Sequence, residues 1–148
     1  MPHVELSLSE PIVPNPRPEP GAWSAIQHWT AAVAEADEPC LVVEGDGTIV
    51  ALSRAGGRLL SIDPAGAVLP NLFDDVLPLV DFTAASAPLA EADLALIPPL
   101  LAISSGRLAR GLLRLKVNDA TACTLDVIAT PLRDNGSVVG SLSFLCEV

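Results

Sequence analysis

The clearest pattern of apolar and polar positions lies in the last third of the chain. Three runs alternate with period two: "GLLRLKV" (residues 111–117), "CTLDVIATPL" (123–132) and "SVVGSLSFLCEV" (137–148). Alternation sends every second side chain to the same face, so each run is predicted to be a strand with one apolar face. The apolar rows are Leu113, Leu115 and Val117; then Cys123, Leu125, Val127 and Ala129; then Val138, Leu142, Phe144, Cys146 and Val148. Asn135-Gly136 is a two-residue hairpin signal. Counting outward from it pairs Leu125 with Cys146, Val127 with Phe144 and Ala129 with Leu142, apolar on apolar throughout. The same parity favours a three-residue Asp119-Ala120-Thr121 loop in the preceding hairpin, with Arg114 opposite Asp126.

Upstream, "PCLVVEGDGTIVALS" reads as strand, tight turn and strand, over residues 40–44 and 48–52 with Gly45-Asp46-Gly47 between. "SRAGGRLLSID" follows as a short helix with Ser53 as its N-cap. Further upstream, Trp23, Ile26, Trp29 (or Thr30) and Val33 recur at helical spacing and predict an amphipathic helix over residues 21–36, closed by Pro39. It holds both tryptophans of the chain. A helix this short is marginal alone, so its tryptophan face is expected to bury against its own domain or against a second copy. Residues 64–99 are broken by Pro70, Pro78, Pro88, Pro98 and Pro99 into short helices, the last over about 99–104 and ending at Gly106. Residues 1–20 carry prolines at 2, 11, 14, 16, 18 and 20 and are predicted to be an extended, disordered tail.

Composition narrows the class of activity. A chain of 148 residues that is 50% hydrophobic can bury a real core in one domain. No apolar run approaches the ~18 residues of a membrane span, and "MPHVELSLSE" has neither a basic start nor an apolar stretch, so the expected compartment is the cytoplasm. The net charge is −10, from 18 acidic and 8 basic residues, with Lys116 the single lysine. Nucleic-acid binding rests on neutralising phosphates, so it is not expected. Cys40, Cys123 and Cys146 form no C-x-x-C pair, and His3 and His28 stand at no ligand spacing, so neither a disulfide framework nor a metal site is indicated. Asp74-Asp75 reads as a solvated helix face rather than as an acid–base pair. No catalytic residue is assigned.

The order strand-strand, short helices, three long strands resembles a PAS domain. "EPCLVVEGDGTIVALSRAGGRLLSID" looks like that family's opening hairpin and first short helix. "TPLRDNGSVVGSLSFLCEV" looks like its closing hairpin, with Pro131, Leu132, Asp134, Gly136, Val138 and Gly140 matching its P-[LI]-x-D-x-x-G-x-[VI]-x-G pattern. The resemblance covers residues 37–148. It implies an α+β fold: a five-stranded antiparallel sheet with short helices on one face enclosing a small apolar chamber, preceded by the amphipathic helix. It also implies sensing and signal transmission in place of catalysis. Dimerisation would run through the helix before the first strand, at Trp23, Ile26, Trp29 and Val33.

In the family, haem is held by a histidine near the last helix before the long strands, and residues 90–106 contain none. Cysteinyl-flavin photochemistry needs a cysteine in the middle helices, and none lies between Cys40 and Cys123. Non-covalent flavin stays open. The expected chamber lining is Leu100, Ile103, Leu113, Leu115, Leu125, Val127, Leu142 and Phe144, with core packing as the competing role for most of them. An empty apolar chamber of ~300 Å³ would cost about 7 kcal/mol, comparable with the whole stability of a domain. The chamber is therefore either filled by side chains or occupied. Cys123 and Cys146, on apolar faces of adjacent strands, are either a redox-responsive pair or two small core side chains.

With no kinase, cyclase or DNA-binding segment in the sequence, the expected function is that of a stand-alone sensory and interaction module. It would bind a small apolar ligand or a partner protein, and signal by contact. The alternatives are an adaptor with a collapsed core, and a small cone-shaped isomerase, which would need an acid such as Asp126 or Asp134 aimed into the chamber.

Overall fold

The computed structural model describes residues 23–66, 68–74 and 77–148. The segment read as a proline-rich tail and Asp75 lie outside them. The chain runs α1 (Ala25–Glu35), β1 (Cys40–Glu44), β2 (Ile49–Leu52), α2 (Arg54–Leu60), β3 (Leu79–Val80), α3 (Glu91–Leu94), α4 (Pro98–Ser105), β4 (Ala109–Asn118), β5 (Thr121–Asp134) and β6 (Ser137–Glu147). All strands join one antiparallel sheet in the order β2-β1-β6-β5-β4-β3. The expected five strands are thus six. The extra one is two residues long, Leu79 and Val80 against Leu115 and Arg114, too short to show a period in sequence.

Local chemistry sets the element ends. Ser24 and Gln27 form a capping box at α1: Ser24 Oγ accepts from the Gln27 N–H at 3.2 Å, and Gln27 Oε1 accepts from the Ser24 N–H at 2.8 Å. Helix α4 opens on Pro98 and Pro99, which give up no helical hydrogen bond in the first turn, and stops at Gly106 in the left-handed region. Asn135 (φ 50°) and Gly136 (φ 82°) both take the positive φ of a two-residue hairpin turn.

The β5–β6 register corrects the one expected from that turn. Arg133 pairs with Val138, as the turn dictates, but Leu132 pairs with Gly140, leaving Val139 as a bulge. One extra residue flips every later side chain of β6 to the other face. Val127 therefore stands opposite Leu145, Ile128 opposite Phe144 and Thr130 opposite Leu142. In the β4–β5 hairpin the loop is the two residues Asp119-Ala120, again with an irregularity, between Lys116 and Asn118. Arg114 consequently faces Thr124, and Asp126 faces Leu112. Asp126 is instead held by Arg110, with Nη2–Oδ2 at 2.6 Å and Nε–Oδ1 at 3.1 Å. That exposed pair contributes little stability.

The sheet is covered on its inner face and, under α1, on part of its outer face. Leu41, Val43, Leu113, Leu115, Leu125, Val127 and Leu145 form the core beneath α2 and α4 together with Leu60, Ile97 and Leu100. On the outer face, Val33 of α1 packs with Cys40, Val42, Ala51, Leu132 and Leu142, and Ile26 packs against that cluster. Helix α1 is pinned to the hairpin corner, since the Ala25 N–H donates to Asp134 Oδ1 at 2.9 Å. From the same corner Arg133 reaches the other side, donating to the Gly106 carbonyl at 2.8 Å. "PLRDNG" therefore turns the chain and ties down one end of both α1 and α4.

Candidate functional site

Six of the eight expected chamber residues come together. Leu113, Leu115, Leu125 and Val127 are buried on the inner face, Leu100 reaches them from α4, and Ile103 packs at their margin. Leu142 and Phe144 do not belong there, because the Val139 bulge turns them to the outer face. Leu142 is buried under α1, and Phe144 is 42% exposed. The inner positions of β6 are Ser141, Ser143 and Leu145. The two serines broke the apolar alternation and concealed this face in the sequence. Small polar side chains fit here because α4 lies close: Ser141 Oγ donates to the Pro99 carbonyl at 2.8 Å. Leu41, Val43, Ile49 and Leu52 complete the core and were legible only as strand residues.

The interior is filled: Leu125, Val127 and Val43 have no accessible surface. Among the described residues, the buried side-chain polar atom without a hydrogen-bond partner is the Ser143 hydroxyl, which lies between Leu41 of β1 and Ala129 of β5. An unsatisfied buried hydroxyl costs about 1–3 kcal/mol. We expect Ser143→Ala to raise stability by about 1 kcal/mol, read as a higher urea midpoint at unchanged slope. A lowered midpoint would mean that this hydroxyl has a partner in solution.

The open space lies at the margin of the core. A cleft of about 350 Å³ runs beside β3, lined by Leu72, Leu77, Leu79, Leu89, Leu94 and Pro88, with Asp74, Ser86 and Lys116 as its polar side chains. Leu72 and Leu79 also belong to the inner core, so the cleft is continuous with it. The loop that closes it from the other side is held by Asp81, whose carboxylate accepts from the Thr83 hydroxyl at 2.6 Å and from the Thr83 and Ala87 N–H groups. Those hydrogen bonds, led by Thr83's, hold the Asp81 carboxyl below its ordinary pKa.

The outer face carries a second feature. Trp29 of α1 is 42% exposed. Trp23, expected on the same helix, precedes its Ser24 N-cap instead and is 58% exposed, with its ring 5.5 Å from that of His28. Val33, in contrast, is buried on the sheet side of α1, and Ile26 is half-buried. The expected four-residue interface is thus divided, two residues toward the sheet and two toward solvent. Beyond α1 the outer face stays open, with Leu112, Ile128 and Phe144 exposed around the Arg110–Asp126 pair and a hollow of about 370 Å³.

Cys123 and Cys146 are not a pair. Cys123 lies in the inner row beside Leu115, and Cys146 is opposite Asp126 on the outer face. Desolvation, with Glu147 nearby, raises the Cys123 thiol pKa; desolvation also raises that of Cys40. Both are therefore poor thiolates. Asp126 lies on the outer face with its pKa lowered by Arg110, and Asp134 is engaged by α1, so neither acid points into the core. Among the described residues no group of three His, Cys, Asp or Glu side chains could hold a metal ion, and no helix is long and apolar enough to cross a membrane.

No family model and no curated protein matches the sequence. Solved structures do. A Rhodobacter sphaeroides LOV protein superposes with a TM-score of 0.60 at 14% identity, over 84% of this chain and 67% of that one. A PAS domain from Colwellia psychrerythraea gives 0.56 at 14%, over 82% and 94%. VqmA bound to DPO gives 0.56 at 15%, over 82% of this chain but only 57% of VqmA. This chain therefore has the PAS-domain fold, with the curled antiparallel sheet and short helices of those sensory domains.

Proposed function

We propose that this PAS-fold chain is a non-enzymatic sensory and interaction module that takes a small apolar ligand in the cleft beside β3 and signals as a dimer. The observation that carries the reading is that cleft. At about 350 Å³ it lies within the range of small-molecule sites, its walls are mainly leucine and proline with Asp74, Ser86 and Lys116 at hand for polar contacts, and two of its residues are shared with the core. A ligand there would press on Leu79 and, through the Leu79–Leu115 pairing, on β4. VqmA, which shares the fold, is bound to DPO in its structure. That is a reason to look for a ligand here, not an indication of which one. The lack of a histidine in residues 90–106 and of a cysteine between Cys40 and Cys123 speaks against haem and cysteinyl-flavin held in the family's manner.

The dimer reading rests on the two exposed tryptophans. Each leaves a large apolar ring exposed, Trp29 on a helix whose other face is already satisfied by the sheet and Trp23 just ahead of that helix's cap. One experiment addresses both parts: native mass spectrometry of freshly purified protein, against the denatured mass. A retained small molecule and a twofold mass are the expected results. In the Trp23→Ala/Trp29→Ala variant the dimer is expected to weaken at least thirtyfold, as befits loss of about 2 kcal/mol or more of interface anchor. A monomer in the wild type would overturn the dimer. An apo protein that also fails to take up apolar compounds would leave the adaptor with a collapsed core as the better reading.

A further inference from the structure

We propose that the open edge of β4 is a docking site for an extended peptide of a partner protein, one that carries a large apolar side chain flanked by acids. Strand β3 covers that edge only at Arg114 and Leu115. The Lys116 N–H donates across it to the Pro78 carbonyl at 2.8 Å. Because peptide groups alternate along a strand, the N–H and C=O of Leu112 and Arg110 point the same way as those of Lys116. Among the described residues nothing pairs with them. After Val80 the chain turns back, the Asp81 N–H donating to the Ala87 carbonyl at 2.8 Å, so β3 ends before it reaches them. An unpaired edge of this kind is a template for another strand.

The side chains on the two faces of this edge define the peptide, since residues directly opposite in an antiparallel pair share a face. The inner row is Ala109, Gly111 and Leu113. Beside it, between β4 and α3–α4, opens a cleft of about 170 Å³ walled by Phe82, Leu89, Leu96 and Leu101. Phe82 and Leu96 are 60% and 62% exposed. Gly111, at the centre, has no side chain to fill this space, so the peptide residue opposite it can place a large apolar side chain there. Asp93 of α3 also lines the cleft and disfavours an acid in the peptide's inner row.

The outer face calls for the opposite chemistry. There Arg110 and Arg114 flank Leu112. Arg110 is bound to Asp126, whereas Arg114 donates to the Asp81 and Thr83 carbonyls at 3.3 and 3.1 Å. Among the described residues, Asp126 is the carboxylate in salt-bridge contact with these two guanidinium groups. Peptide residues opposite Arg110 and Leu112 fall on this face, and acids there complement the unmatched charge. The occupant therefore reads acidic, apolar, acidic. A second copy's β4 suits the edge poorly. Paired about Gly111, it would set glycine opposite glycine, leave the cleft unfilled and bring two basic rows side by side.

The test is titration of the full chain with the acetylated, amidated peptide Leu-Glu-Leu-Glu-Leu, read by NMR amide hydrogen exchange. At saturation the Arg110 and Leu112 amides are expected to exchange about tenfold more slowly. The amides of Gly111 and Leu113, which point to β5, serve as the internal control and should not change. The matching peptide Leu-Lys-Leu-Lys-Leu is expected to bind roughly tenfold more weakly, and Arg110→Glu to abolish that preference. Arg110 is exposed and its ion pair contributes little stability, so this variant keeps the fold. No binding, or binding that leaves the exchange of Arg110 and Leu112 unchanged, would overturn the proposal. Equal affinity for the two peptides would overturn the acidic character assigned to the partner. Protection of both amides in the protein alone would overturn the proposal too. If it persisted on dilution, the chain would cover its own edge; if it disappeared, the occupant would be a second copy.

Discussion

Replacing Ser53 by Ala is expected to destabilise the domain by about 3 kcal/mol, lowering the thermal midpoint by roughly 10 °C. Ser53 is fully buried where β2 passes into α2. Its hydroxyl accepts from the Cys40 and Gly56 N–H groups, both at 3.0 Å, and donates to the Glu38 carbonyl at 2.7 Å. One oxygen thus caps α2, satisfies the first amide of β1 and holds the chain entering that strand. Alanine would leave two buried N–H groups without an acceptor, each at about 1–3 kcal/mol, in addition to the lost cap. The same substitution at Ser143, equally buried, is expected to have the opposite sign. The two variants share chemistry and burial and differ only in partners. A urea series on the pair therefore tests whether hydrogen-bond satisfaction, and not serine burial itself, governs this core. A Ser53→Ala midpoint equal to wild type would show that the three partners find other bonds.

The sequence exposed the parts of this fold where one local rule dominates. The Asn135-Gly136 turn, the Ser53 cap, the Gly106 helix end and the three long strands all follow from short-range chemistry that no tertiary contact overrides. What stayed hidden depends on the central position of β6. A strand buried on both faces does not alternate cleanly, because Ser141 and Ser143 lie inward under α4 while Leu142 lies outward under α1. With both rows mixed, the apolar pattern could not betray the Val139 bulge, and Leu142 and Phe144 were assigned to the wrong side. The candidate cleft was illegible for a related reason. Its lining comes from leucines scattered among the prolines of residues 72–94, a stretch with no period of its own. Trp29 was legible as part of a helix face, whereas Trp23 proved to lie ahead of the Ser24 cap. Their exposure was not legible, since helical spacing alone does not say which part of a wide apolar stripe the sheet takes.

Gly140→Ala is expected to cost about 3 kcal/mol and roughly 10 °C, through a mechanism that joins stability to the proposed interface. Gly140 follows the bulge and stands opposite Glu44 of β1 and Leu132 of β5. A methyl group there would run into the backbone carbonyl of Val43 and come within 2.8 Å of Ile26 Cδ1 on α1. The carbonyl cannot turn away, because Val43 is paired with Ser141 in the middle of the sheet. Either β1 and β6 separate or α1 lifts, and the second route also displaces Trp29 on that helix and Trp23 beside its cap. Gly136→Ala provides the contrast. It meets nothing within 4 Å and costs only the left-handed backbone at φ 82°, about 1–2 kcal/mol. Adding Ile26→Ala to Gly140→Ala separates the two obstacles. If the Val43 carbonyl dominates, the double variant is no more stable than Gly140→Ala alone. If Ile26 dominates, the double variant recovers most of the loss, and the glycine is there to seat α1. Self-association measured on the same proteins then reads the consequence, since a lifted α1 should weaken the proposed dimer beyond what the change in stability accounts for.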